Sequence, residues 1–142
     1  MMRNILFFFV VAIILCGCSR EHSHEQAPYD GATVQIEVRL LKEGVPVFYS
    51  FQDGKESVHF FVLKVKNEIQ SYFDACNECY QNKLRFRYEE GKLICNSCNV
   101  GYPIDKLKGG LSGCYPIKLQ GSLHDGIYEI KKESILKGKK YF

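Results

Sequence analysis

A small, mostly antiparallel β domain is the fold this sequence predicts, and three observations predict it. Apolar and polar residues alternate in several short runs, turn signals separate those runs, and no stretch keeps a helical period over three or four turns. In residues 34–40, Val34, Ile36, Val38 and Leu40 alternate with polar neighbours, the pattern of a strand with one buried face. Val45, Val47, Tyr49 and Phe51 repeat it after a turn at Glu43 and Gly44. "VHFFVLKVK", residues 58–66, reads as a more fully buried strand, and His59 within it as a packed or edge histidine. Leu84, Phe86 and Tyr88 alternate again, and residues 92–95 return after Glu90 and Gly91 as the second arm of a hairpin. "QDGKE", "KNE", "EEGK" and "HDG" supply the breaks. A β-barrel or sandwich is compatible with such a strand set.

The start of the chain points to export. One basic residue, Arg3, precedes eleven uninterrupted apolar residues at 5–15, too few to cross a bilayer but suited to an export signal. That run ends in Leu15, Cys16, Gly17 and Cys18, which resembles a bacterial lipoprotein cleavage box. The resemblance implies a signal peptide at 1–17 and membrane lipid attached through Cys18, in the cell envelope facing the periplasm or exterior. Residues 18–32 then read as a flexible tether, polar and broken by Pro28 and Gly31, in which His22 and His24 are solvated. The β domain is expected over 33–142. With 19 basic against 16 acidic residues, the net charge of +3 gives no case for nucleic acid. The lysines of the tail read as a solvated edge.

Five cysteines remain beyond Cys18, and their spacing is regular. Cys76 and Cys79 are separated by two residues, as are Cys95 and Cys98; fifteen residues lie between the pairs and fifteen more before Cys114. Two residues between cysteines allow one tight turn to aim both sulfurs at a point while its N–H groups face them. A hairpin between two such turns brings four sulfurs together, the pattern of zinc ribbons and some thiolate iron sites. A bridge inside either pair closes a tiny loop and gains little, and bridges across the hairpin are the stronger disulfide alternative. A thioredoxin-like dithiol needs a helix opening at the pair, and none is predicted. Cys114 is a possible fifth thiol, in a loop whose Gly109, Gly110 and Gly113 suit close approach. Asp74, near Cys76, reads as a turn-forming residue.

Several of these motifs together resemble the FtrD-like membrane iron–sulfur family. They are the apolar strand at 60–63, Phe73 to Cys76 with Cys79 and Tyr80, the second cysteine pair, Tyr102 with Pro103, and Gly109 and Gly110 before Cys114 with Pro116. The match runs from about Val58 to the C-terminus. It departs from the family in Asn99, where glycine is usual, in three residues inserted before Cys114, and in Tyr115. The resemblance implies a cysteine-bound iron–sulfur cluster and electron transfer linked to iron uptake. Rieske domains are a more distant likeness; their loops carry one histidine each, where this chain has Cys79 and Cys98. Four thiolates place more negative charge on the iron than two imidazoles do, so a low potential is expected.

Cys76, Cys79, Cys95 and Cys98 are therefore the expected metal ligands. The expected function is an electron carrier rather than a stand-alone enzyme, with a membrane redox or iron-transport partner. The alternative is a zinc-stabilised binding or scaffold lipoprotein. No nucleophile, base and acid arrangement for hydrolysis stands out.

Overall fold

The computed structural model describes residues 23–109 and 113–142. The expected signal peptide, Cys16, Cys18 and His22 lie outside the described residues.

A five-stranded sheet forms the middle of the domain. Strand β1 (Glu25–Gln26) pairs in parallel with β3 (Val47–Asp53); β4 (Glu56–Val65), β5 (Glu68–Cys76) and β9 (Pro116–Leu119) follow antiparallel, in the order β1-β3-β4-β5-β9. A three-stranded sheet packs on one face: β10 (Ser122–His124), β11 (Ile127–Lys131) and β2 (Thr33–Glu37). The other face carries β6 (Phe86–Glu89), β7 (Lys92–Cys95) and β8 (Gly101–Pro103). The expected all-β class is what the structure shows; the sheets stay open, so the barrel form of the expectation is set aside.

The period of two along β4 explains the layering. Val58, Phe60 and Val62 point into a core shared with Val34, Ile36, Tyr128 and Ile130 of the β2–β11 sheet. Phe61, Leu63 and Val65 point the opposite way, into a second core with Phe86, Leu93 and Tyr102 of the β6–β8 sheet. Strand β4 is buried on both sides, which is why its sequence reads as a continuous apolar run. Strand β5 obeys the same rule, with Phe73 and Ala75 in the first core and Tyr72 and Cys76 in the second. Its run "EIQSYFDAC" carries polar groups inside: Ser71 donates to the Leu119 carbonyl at 2.8 Å and lies 2.9 Å from the Tyr128 hydroxyl. Those buried polar residues hid the strand from a hydrophobic pattern.

Two runs are shorter than their alternation suggests. Strand β2 ends at Glu37; the chain turns through Val38–Leu40, leaving Leu40 exposed and Leu41 inside. Strand β6 begins at Phe86 because Lys83 and Arg85 adopt left-handed backbone with φ of 54° and 58°. Leu84 between them is exposed. At the C-terminus, a short helix α1 (Lys132–Leu136) buries Ile135 in the first core. Lys132 and Lys139 close ion pairs to Asp53 at 3.3 and 2.7 Å.

The segment expected to be a tether is, from His24 onward, part of the domain. Glu25 and Gln26 extend the central sheet, Ala27 is buried, and His24 donates or accepts through Nε2 at 2.8 Å from Asp74. Short polar stretches of this kind carry no hydrophobic period, so only the tertiary pairing reveals them.

Candidate metal centre

All five described cysteines gather at one end of the second core. Cys76 ends β5 and Cys95 ends β7, so both are delivered by strands of packed sheets. They are buried, with 3 % and 1 % exposure, whereas Cys79 and Cys114 are half-buried and Cys98 is exposed. Their sulfurs form two triads, Cys76 with Cys79 and Cys95, and Cys79 with Cys98 and Cys114. Within each triad every sulfur lies within 4.8 Å of the others, and Cys79 belongs to both. None of the five is in a disulfide.

Each turn is built by its own backbone. After Cys76 the chain folds back, with the Cys79 N–H donating to the Cys76 carbonyl at 3.2 Å. After Cys95 the Asn99 N–H donates to the Cys95 carbonyl at 2.9 Å, and the Cys95 N–H donates to the Val100 carbonyl at 3.0 Å. Asn99 closes this second turn with φ of 59°. Asparagine is among the side-chain-bearing residues that best tolerate that conformation. Arg87 holds the turn from below, donating to Asn96 Oδ1 at 2.9 Å and Asn99 Oδ1 at 3.1 Å.

Three loops meet around the sulfurs. Asn82 donates to Ser97 Oγ at 2.6 Å, joining the first turn to the second. Asn77 N–H donates to the Tyr115 carbonyl at 2.9 Å, joining the first turn to the Cys114 loop. Gly113 sits against Glu78 so closely that a Cβ there would meet the carboxylate at 2.5 Å. The Cys79 and Cys114 sulfurs consequently lie 3.7 Å apart. Cys114 thus belongs to the same cluster as the two pairs.

Electrostatics divide the thiols. Burial pushes Cys95 up to about 12, opposed by N–H groups of Cys98 and Ser97 aimed at its sulfur. Burial also raises Cys79, while hydrogen bonding to Cys98 and then burial raise Cys114. Cys98 alone is lowered: burial opposes this, but the Val100 N–H and the surrounding thiols outweigh it. Thiols held protonated in the free site release their protons when a metal binds, so affinity for metal falls with acid.

Asp74 is not a turn residue. It lies inside β5 with no exposure, receiving His24 Nε2 through Oδ2 and the Phe86 N–H through Oδ1, each at 2.8 Å. The carboxylate joins the N-terminal segment, the central sheet and the first residue of β6, two positions before Cys76. His59 is packed as expected, its ring 4.7 Å from that of His24 and 5.4 Å from that of Phe142.

The donor set fits a thiolate-bound metal. Clustered soft sulfurs with N–H groups directed at them suit zinc or an iron–sulfur cluster. A single tetrahedral ion with bonds of about 2.3 Å needs four sulfurs mutually about 3.8 Å apart. Here five sulfurs form two groups that meet at one cysteine.

No curated protein matches this chain. The model of a family described as "Membrane iron-sulfur containing protein FtrD-like" matches residues 41–142, well over half of the chain and all five of the clustered cysteines.

Proposed function

Because this chain belongs to the FtrD-like family of membrane iron–sulfur containing proteins, we propose that it is a lipid-anchored, extracytoplasmic electron carrier linked to iron uptake. The observation that carries the reading is the gathering of five unbridged thiols from three loops into two triads. In this reading Cys76 and Cys95 hold the inner side of the cluster and Cys79 and Cys98 the outer side, an order supported by their burial. Cys114 stands beside Cys79 as a neighbour that covers the outer side. When bound, the cluster supplies a one-electron reservoir.

The residues around it do the rest. The N–H groups of Ser97, Cys98 and Val100 favour thiolate over thiol. Exposure of Cys98 gives a redox partner an approach to the outer sulfur without opening the core. Among the described residues no helix is long and apolar enough to cross a membrane. The anchor in this proposal is Cys18.

Zinc is the second reading, since paired two-residue turns with N–H groups on sulfur serve a structural zinc equally well. An absorption spectrum of anaerobically purified protein separates the two. Visible charge-transfer bands that bleach on reduction are expected; a colourless protein containing stoichiometric zinc would overturn the proposal. A potential near −400 mV, well below the Rieske range, is expected in a redox titration, in line with roughly the values of all-thiolate ferredoxins.

A further inference from the structure

A recess of about 310 Å³ opens beside the cysteine cluster, between the β3–β4 turn and the approach to β6. We propose that it is a binding site for a small dianionic oxyanion of the phosphate type. Four observations converge on this assignment.

The first is charge. Lys55 from the β3–β4 turn, with Lys83 and Arg85 from the approach to β6, line the recess, and none has an acidic partner among the described residues. The fourth cation, Lys139, is already held 2.7 Å from both Asp53 and Glu56, so the acidic residue in the wall is taken. Three cations lining one recess repel each other, and a bound anion relieves that repulsion.

The second is an orphaned polar atom. His59 Nδ1 is buried with no hydrogen-bond partner, and His59 lines the recess. A buried polar atom left so is costly, and a turn of the ring toward the recess would let an acceptor oxygen there satisfy it. Its ring packs edge-on against His24 and Phe142, and burial keeps it neutral near pH 7, so once turned it offers one N–H and no charge of its own.

The third is backbone. Lys83 and Arg85 both stand at positive φ, an arrangement uncommon for residues with side chains and one that costs about 1 kcal/mol each. Two such residues in one short link are both cationic and both line the same recess, so the backbone sets two positive charges beside one space.

The fourth concerns the ligand's class. Three cations and one N–H match a dianion with three or more acceptor oxygens, which a phosphoryl group offers and a single carboxylate does not. The recess is larger than a phosphate ion, which leaves room for the ester substituent of a phosphate monoester. A free phosphate and the headgroup of an anionic lipid share this chemistry. Lys83 and Arg85 also line the cleft at Cys76, Cys79 and Cys95, so a bound dianion would be felt by the metal centre and lower its potential.

Equilibrium dialysis of radiolabelled inorganic phosphate against the full, metal-loaded chain in neutral micelles tests the site, at fixed ionic strength set with chloride. Saturable binding of about one phosphate per chain is expected, weakened roughly tenfold by Lys83→Asn with Arg85→Asn. Asparagine is chosen because it keeps the left-handed backbone accessible. Lys55→Gln, on the opposite wall and outside the cysteine loops, is expected to weaken binding as well. A fall in the potential on adding phosphate, absent from both variants, is the second readout. Competition by phosphatidate in the micelles is compared with soluble glycerol phosphate. Much stronger displacement by phosphatidate assigns the site to a lipid headgroup, and equal displacement assigns it to a free anion. No saturable binding up to about 10 mM phosphate, or equal binding by wild type and both variants, overturns the proposal.

Discussion

Asp74 shows how much a single buried carboxylate can organise. Two donors reach it, one from His24 fifty positions away and one from the Phe86 backbone twelve positions away. Neither partner is visible in the local sequence, where an Asp two residues before a cysteine looks like turn chemistry. Asp74→Ala removes the acceptor and leaves the buried Phe86 N–H unpaired, so it should lower stability by about 1–3 kcal/mol. Asp74→Asn, which keeps one acceptor oxygen, should cost less; equal urea midpoints for all three proteins would contradict this role. His59 makes a second prediction at the same scale. Burial first, then the charges of Arg85 and His24, depress its pKa from 6.5 to about 4. Between those values the unfolded chain binds the proton and the folded chain does not, so stability is lost as pH falls through that window. His59→Leu should therefore show a smaller drop in urea midpoint from pH 7 to pH 4.5 than the wild type, and an unchanged drop would remove His59 from the account.

At the scale of elements, the hairpin was legible and the strand feeding it was not. Glu89 pairs with Lys92 across Glu90 and Gly91, both at positive φ (47° and 77°), a two-residue turn that the glycine marks in the sequence. Phe86 pairs with Cys95 at the far end, which sets the second cysteine turn beside the approach from the first. Gly91→Ala forces a side chain into that left-handed position and should cost about 1 kcal/mol, read as a lower thermal midpoint. Strand β5, although it delivers Cys76, mixes Gln70, Ser71 and Asp74 among its apolar residues: Ser71 and Asp74 find partners on other elements, and Gln70 accepts from the Tyr72 hydroxyl of the same strand. The C-terminal segment was equally hidden, since α1 is a single short turn of helix. Gly138 packs against the ring of Phe73, where a Cβ has no room. Gly138→Ala should destabilise the domain by about 1–3 kcal/mol through overpacking, and a thermal midpoint equal to wild type would show that this contact yields freely.

For the whole molecule, the cysteine spacing carried most of what could be read, because short turns and a hairpin turn spacing into proximity. The three-layer arrangement could not be read that way, since it depends on which face each strand of the central sheet offers. The N-terminal edge of the domain was also beyond pattern, because it is held by the His24–Asp74 hydrogen bond and a two-residue parallel strand. Docking of His24 bears on the anchor we propose. Six residue steps separate it from Cys18, a covalent reach of roughly 20 Å, so a lipid on Cys18 holds the domain close to the membrane. Palmitate label is expected in the wild type and absent in Cys18→Ser; label retained by that variant would remove the anchor. The central claim is the metal centre, and iron and acid-labile sulfide analysis of anaerobically purified protein tests it most directly, with the five single Cys→Ser variants alongside. Iron and sulfide in equal amounts are expected in the wild type, mostly lost on substituting Cys76, Cys79, Cys95 or Cys98, and largely kept in Cys114→Ser. Stoichiometric zinc without sulfide in the wild type, or loss of iron in Cys114→Ser alone, would contradict it.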